Sequence, residues 1–101
     1  MIGYSFGAEI AMKWAVSHPE EVAAVVAIAP PAGLPGLAQL TQPLLVIAAD
    51  KDEVCPMDEL RVCLPAAAQL AVIEGANHSF RGKIRELTEH VQLWAAGAMP
   101  S

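Results

Sequence analysis

Three stretches of the chain are apolar without interruption. Ala23-Ala24-Val25-Val26-Ala27-Ile28-Ala29 is stopped by Pro30 and Pro31, Leu44-Leu45-Val46-Ile47-Ala48-Ala49 is opened by Pro43 and closed by Asp50, and Leu70-Ala71-Val72-Ile73 is closed by Glu74 and Gly75. None alternates apolar with polar positions, so each predicts a strand buried on both faces, the environment of a parallel sheet. Elsewhere the period is that of a helix. From Ala8 to Ser17, Ala8, Ala11, Met12 and Ala15 form one apolar stripe that Ile10, Trp14 and Val16 widen. His18-Pro19 ends it, because the residue before a proline avoids the α region. Met57 to Ala68 carries a short helical pattern that Pro65 breaks, and Gly82 to Gly97 sets Ile84, Leu87, Val91 and Trp94 at helical spacing, with Leu93 beside them. Ala32–Gln42, rich in Gly, Pro and Leu, predicts a connector.

The resulting order is helix, strand, loop, strand, helix, strand, helix. Strands alternating with helices are the signature of a doubly wound α/β sheet, here with about three parallel strands and flanking helices. With 101 residues the whole of 1–101 makes one domain and leaves no room for two.

Composition narrows the class. Hydrophobic residues make up 54% of the chain and charged ones 17%, which excludes a disordered segment. So apolar a chain exceeds what a lone domain of this length needs and suits a portion of a larger α/β protein. The formal net charge is −5 with no cluster of Lys or Arg, which argues against nucleic acid and against an anionic membrane surface. Arg81, Lys83 and Arg85 are the only neighbouring basic residues and are expected on the solvated side of the last helix. The runs Val22–Ala29 and Leu44–Ala49 are far too short to cross a bilayer, and no basic region opens the chain as a secretion signal would. Cys55 and Cys63 are too few for a disulfide framework and lack metal-ligand spacing, so the expectation is two reduced thiols in a cytoplasmic protein.

The candidate chemistry begins at Gly3-Tyr4-Ser5-Phe6-Gly7, which has the Gly-x-Ser-x-Gly form of a nucleophile elbow. A serine on a tight strand-to-helix turn is pushed out above the carboxyl edge of the sheet, and small neighbours avoid clashes there. The helix that follows aims its N-terminus at the reacting centre, and the backbone N–H of Phe6 is placed to bind an oxyanion. A chance match in a chain this long has a probability of roughly 3%. Asp50 and Asp52 follow the second apolar run, where a carboxylate at the end of a parallel strand faces the same edge as the serine. Its task there is to orient a histidine and stabilise the imidazolium; the spacing Asp52-x-x-x-Pro56 favours Asp52. His78 follows the third run on a loop, in position to accept the serine proton through Nε2. The other two histidines have structural explanations, His18 at a helix C-terminus and His90 on the last helix.

The order Ser, Asp, His is that of the α/β-hydrolases, and the chain resembles that superfamily over nearly its whole length, most of all the small hydrolases similar to dienelactone hydrolase. Three stretches carry the likeness: Gly3 to Ala8, Pro43 to Pro56 (PLLVIAADKDEVCP) and Val72 to Lys83 (VIEGANHSFRGK). The resemblance implies the C-terminal portion of an α/β-hydrolase fold, with family strands six to eight present and strands one to four and nearly all of five absent. It implies a catalytic triad of Ser5, Asp52 and His78, Asp50 being the weaker candidate for the acid, with Phe6 in the oxyanion hole. It also implies hydrolysis of an ester or thioester substrate with no metal or organic cofactor. Ala49 stands where the family usually has glycine, and Ser5 stands where dienelactone hydrolase itself uses cysteine, so that enzyme's own activity is not carried over.

The absent strands also bear a loop that supplies the family's second oxyanion donor, worth about 10²–10³ in rate. Weak hydrolysis is therefore the expectation. The Ala23–Ala29 strand is expected to present an unpaired apolar edge, a template for self-association or for pairing with an N-terminal portion. Two further readings stay open on sequence alone: an inactive hydrolase fragment, and an interaction module that pairs through this edge.

Overall fold

The computed structural model describes residues 1–30, 40–53 and 68–98. Four strands, β1 (Ile2–Tyr4), β2 (Val25–Ile28), β3 (Leu44–Ala49) and β4 (Gln69–Ile73), form one parallel sheet in the order β1-β2-β3-β4. Helix α1 (Phe6–Ser17) links β1 to β2, and α2 (Ile84–Ala98) closes the described chain. The helix expected at Met57–Ala68, except its last residue, most of the Ala32–Gln42 connector, both cysteines and Pro56 lie outside the described residues.

Successive strand residues point to opposite faces, and the sheet is packed on both. On one face Val25, Ala27, Leu44, Val46 and Ala48 meet the small stripe of α1, namely Ala8, Met12 and Ala15. On the other, Val26, Ile28, Leu45, Ile47 and Ile73 meet Ala76 and Phe80, with Leu87, Val91 and Trp94 of α2 packed against them. All residues of β2 and β3 are buried, as unalternated apolar runs require.

Helix α1 ends as its sequence predicts, and its last turn is well satisfied. The backbone N–H of His18 donates to Ala15 O at 3.3 Å, and Gln42 Nε2 donates to the same carbonyl at 2.7 Å. The His18 ring stacks on Trp14 with centroids 3.7 Å apart and donates from Nδ1 to Trp14 O at 2.9 Å. His18 is thus a helix-end residue, and His90 lies on α2.

The expected parallel sheet with flanking helices is present with one strand more, and two expectations about its edges are corrected. Among the described residues the sheet has four strands, because Ile2–Tyr4 pairs in parallel with β2 in the register Ile2↔Val26, Gly3↔Ala27 and Tyr4↔Ile28. The β2 edge expected to be open along Ala23–Ala29 is therefore covered: Met1 O accepts from Val26 N, Ile28 O accepts from Ser5 N, and the N-terminal amine donates to Ala24 O at 3.0 Å. Among the described residues β4 is an edge strand: Leu70 packs on one face and Ala71 and Ile73 on the other, yet only Ile73 is fully buried, so the expectation of complete burial is corrected. Among the described residues no helix is long and apolar enough to cross a membrane.

Ile47 sits at the centre of the sheet with no exposed surface. Ile47→Ala is expected to cost about 2–5 kcal/mol in denaturant unfolding, whereas Leu93→Ala, at a side chain 75% exposed, should stay within about 0.5 kcal/mol.

Candidate active site

A single residue separates β1 from α1. Ser5 takes φ 54° and ψ −119°, a conformation that L-residues rarely adopt and that typically costs about 1–3 kcal/mol. Backbone bonds hold it there: Ser5 N donates to Ile28 O at 2.8 Å, and Ser5 O accepts from Ala8 N at 2.9 Å. Ser5 occupies the N-cap position of α1, yet its hydroxyl makes no capping bond. A serine there ordinarily bonds a first-turn N–H. Here Oγ turns away from the helix and lies 2.9 Å from His78 Nε2.

The two glycines of the elbow are not equivalent. A Cβ on Gly3 would lie 2.7 Å from Ala8 Cα, and closer still to the Gly7 carbonyl oxygen, so this residue lets β1 and α1 approach each other. A Cβ on Gly7 would meet nothing within 4 Å. The expectation that small neighbours prevent clashes holds for Gly3 and fails for Gly7 within the described residues.

Asp52 and His78 reach the serine because the loops after β3 and β4 are stitched together. Asp50 N donates to Ile73 O at 3.3 Å and Lys51 N to Ala76 O at 3.0 Å, while Asp50 Oδ1 accepts from Gly75 N at 2.8 Å. Asp50 is thereby used as a loop brace and is exposed. Asp52 is turned inward, with its side chain 1% exposed, and its Oδ2 lies 2.8 Å from His78 Nδ1. Of the two candidates for the acid, the structure brings Asp52 to the histidine.

The His78 loop is shaped by its neighbours. Asn77 Oδ1 accepts from Ser79 N at 3.2 Å and from Ser79 Oγ at 2.8 Å, and Phe80 N donates to Asn77 O at 3.0 Å. Phe80, at φ 55° and 1% exposed, pins the loop to the core. With Asp52 accepting from Nδ1–H, Nε2 of a neutral His78 is an acceptor and the Ser5 hydroxyl donates to it. Phe6 is the first residue of α1, and its N–H is among those at a helix start that have no partner within the helix. Among the described residues no group of three His, Cys, Asp or Glu side chains is arranged to hold a metal ion.

One contact at this site has no counterpart in the sequence reading. The Tyr4 hydroxyl donates to His78 O at 2.5 Å, and its ring lies against the imidazole with centroids 5.5 Å apart and planes 37° apart. The two residues are 74 positions apart, and no local pattern links them.

The parallel sheet, the helices on both faces and the strand-to-helix elbow are those of an α/β hydrolase. The chain is similar to an α/β serine hydrolase homologue from Coxiella burnetii, with TM-score 0.76 and 34% identity over 87% of this chain and 44% of that one. A putative α/β hydrolase from Agrobacterium tumefaciens matches with TM-score 0.82 and 30% identity over 94% of this chain and 48% of that one. An α/β serine hydrolase without a lid, from Xanthomonas campestris, matches with TM-score 0.82 and 27% identity over 99% and 47%. The chain spans about half the length of these solved structures. Residues 1–96 match the model of the dienelactone hydrolase family, and the chain belongs to that family. No curated protein matches it.

The glycine asymmetry makes a test of the elbow. Gly3→Ala should abolish cooperative folding or cost several kcal/mol, because only backbone surrounds the new methyl group. Gly7→Ala should be tolerated, gaining up to about 1 kcal/mol from helix propensity. Thermal unfolding of the two variants decides this, and equal destabilisation would contradict the assignment of the close approach to Gly3.

Proposed function

We propose that this chain is a serine hydrolase of carboxylic ester or thioester bonds, acting through Ser5, His78 and Asp52. The observation that carries the reading is the unbroken hydrogen-bond series from Ser5 Oγ to His78 Nε2 at 2.9 Å and from His78 Nδ1 to Asp52 Oδ2 at 2.8 Å. Membership of a hydrolase family and the similarity to α/β serine hydrolases support it.

In this reading Ser5 Oγ attacks the acyl carbon while its proton passes to His78 Nε2. The buried Asp52 carboxylate holds the ring in the required tautomer and stabilises the imidazolium. The negative charge on the former carbonyl oxygen faces the start of α1, where the Phe6 N–H donates to it. Collapse of the tetrahedral species breaks the bond to the alcohol or thiol, which leaves with the proton from His78. Water then repeats the sequence on the acyl-enzyme: His78 takes its proton, its oxygen bonds the acyl carbon, and Ser5 recovers a proton as the acid departs. Water is the only co-reactant.

A second reading, a non-catalytic module that pairs with another chain, has one observation in its favour. Ile2 and Tyr4 on β1, and Phe6, Ile10 and Trp14 on α1, are exposed although large and apolar. Pairing of this kind would be indifferent to Ser5→Ala.

Incubation with a fluorophosphonate, with the labelled residue found by mass spectrometry, tests the catalytic reading. The expected product is an adduct on Ser5, formed with loss of fluoride, absent in Ser5→Ala and strongly reduced in His78→Ala. Asp52→Asn should slow labelling by about 10⁴-fold, and Asp50→Asn by no more than roughly tenfold, since Asp50 only braces the loop. A folded chain whose Ser5 is not labelled, or is labelled equally well without His78, overturns the proposal.

A further inference from the structure

The Tyr4 contact with the His78 loop has a use that the hydrolase reading leaves unassigned. Alternation along β1 sends the side-chain direction of Gly3 toward α1, where a Cβ would run into the backbone of Gly7 and Ala8, and so sends Tyr4 to the opposite face of the sheet. The loop bearing Ala76 and Phe80 packs on that face. Tyr4 immediately precedes the nucleophile candidate and donates its hydroxyl proton to the His78 backbone carbonyl, while its ring rests against the His78 imidazole. His78 is therefore held at three points from three elements: Nδ1 by Asp52 after β3, Nε2 by Ser5, and its own carbonyl by Tyr4 of β1.

These three points do different work. The Ser5–His78 bond reverses its donor and acceptor when the proton crosses it and is lost while Ser5 carries the acyl group, so it cannot by itself fix the distance on which the transfer depends. The bond to Asp52 sets the ring's tautomer and tilt. The bond from Tyr4 is made to the backbone, by a rigid aromatic group one residue from Ser5, and it persists whichever protonation state the imidazole is in. Resting on the hydrolase reading, we propose that Tyr4 is a positioning residue whose phenol ties the His78 backbone to the elbow and keeps Nε2 within reach of Ser5 Oγ through the reaction cycle.

Tyr4→Phe removes the hydroxyl and keeps the ring, and Tyr4→Leu removes both. Two measurements on the whole chain test the role: the rate and final stoichiometry of fluorophosphonate labelling, and amide hydrogen exchange of the 76–83 loop. A positioning role predicts that Tyr4→Phe still labels to full stoichiometry, as the wild type does, but roughly tenfold more slowly, with faster exchange around His78. Tyr4→Leu should be slower again. A merely structural role predicts the wild-type rate on a reduced fraction of the molecules, and that result overturns the inference, as does wild-type behaviour of Tyr4→Phe in both measurements. If the wild type is not labelled, the hydrolase reading fails by itself. Hydrogen exchange then decides the tether, which stands if Tyr4→Phe loosens the loop and falls if it does not.

Discussion

Parallel strands deliver all their carboxyl ends to one edge of a sheet, and every feature of the candidate site depends on that constraint. The turn after β1 presents Ser5, the loop after β3 presents Asp52, and the loop after β4 presents His78. Residues 73 and 26 positions apart thereby meet at hydrogen-bond distance. In an antiparallel arrangement alternate loops would fall at opposite ends, and no side chain of ordinary length would bridge them. Strand β3, which with β2 forms the interior of the sheet, carries the alignment from the elbow side to the His78 loop. It is buried along its whole length and pairs with a neighbour on each side.

On this frame the polar groups are spent economically. Ser5 gives up helix capping so that its hydroxyl faces His78, and its unfavourable backbone angles are held by pairing to Ile28 and by the first turn of α1. Asp50 and Asp52, two residues apart, have opposite fates. The exposed one braces the neighbouring loop through Gly75, and the buried one meets an imidazole. A buried carboxylate needs such a partner, since an unpaired charge there is strongly unfavourable.

The interior of the fold was legible in the sequence and its margins were not. Leu44–Ala49 was found to the residue, because a continuous apolar run between Pro43 and Asp50 admits few other readings. The α1 stripe of Ala8, Ala11, Met12 and Ala15 is the buried face observed. By contrast β1 is three residues long with two exposed side chains, too short for any period to register, and its absence from the reading left the β2 edge open on paper. Strand β4 looked fully buried because composition does not record which strand lies at an edge. In the site, residue types at strand ends pointed to Ser5, Asp52 and His78. The Tyr4–His78 contact had no such signal, since it joins distant positions through a backbone carbonyl that every residue possesses.

The central claim is that this chain assembles a reactive serine from the ends of parallel strands, and a crystal structure of the chain after reaction with a fluorophosphonate tests it most directly. The account predicts phosphorus bonded to Ser5 Oγ, a phosphonyl oxygen at about 3 Å from the Phe6 backbone nitrogen, and His78 still bonded to Asp52. An adduct on another side chain, or a Ser5 adduct with His78 swung away from Asp52, would contradict it.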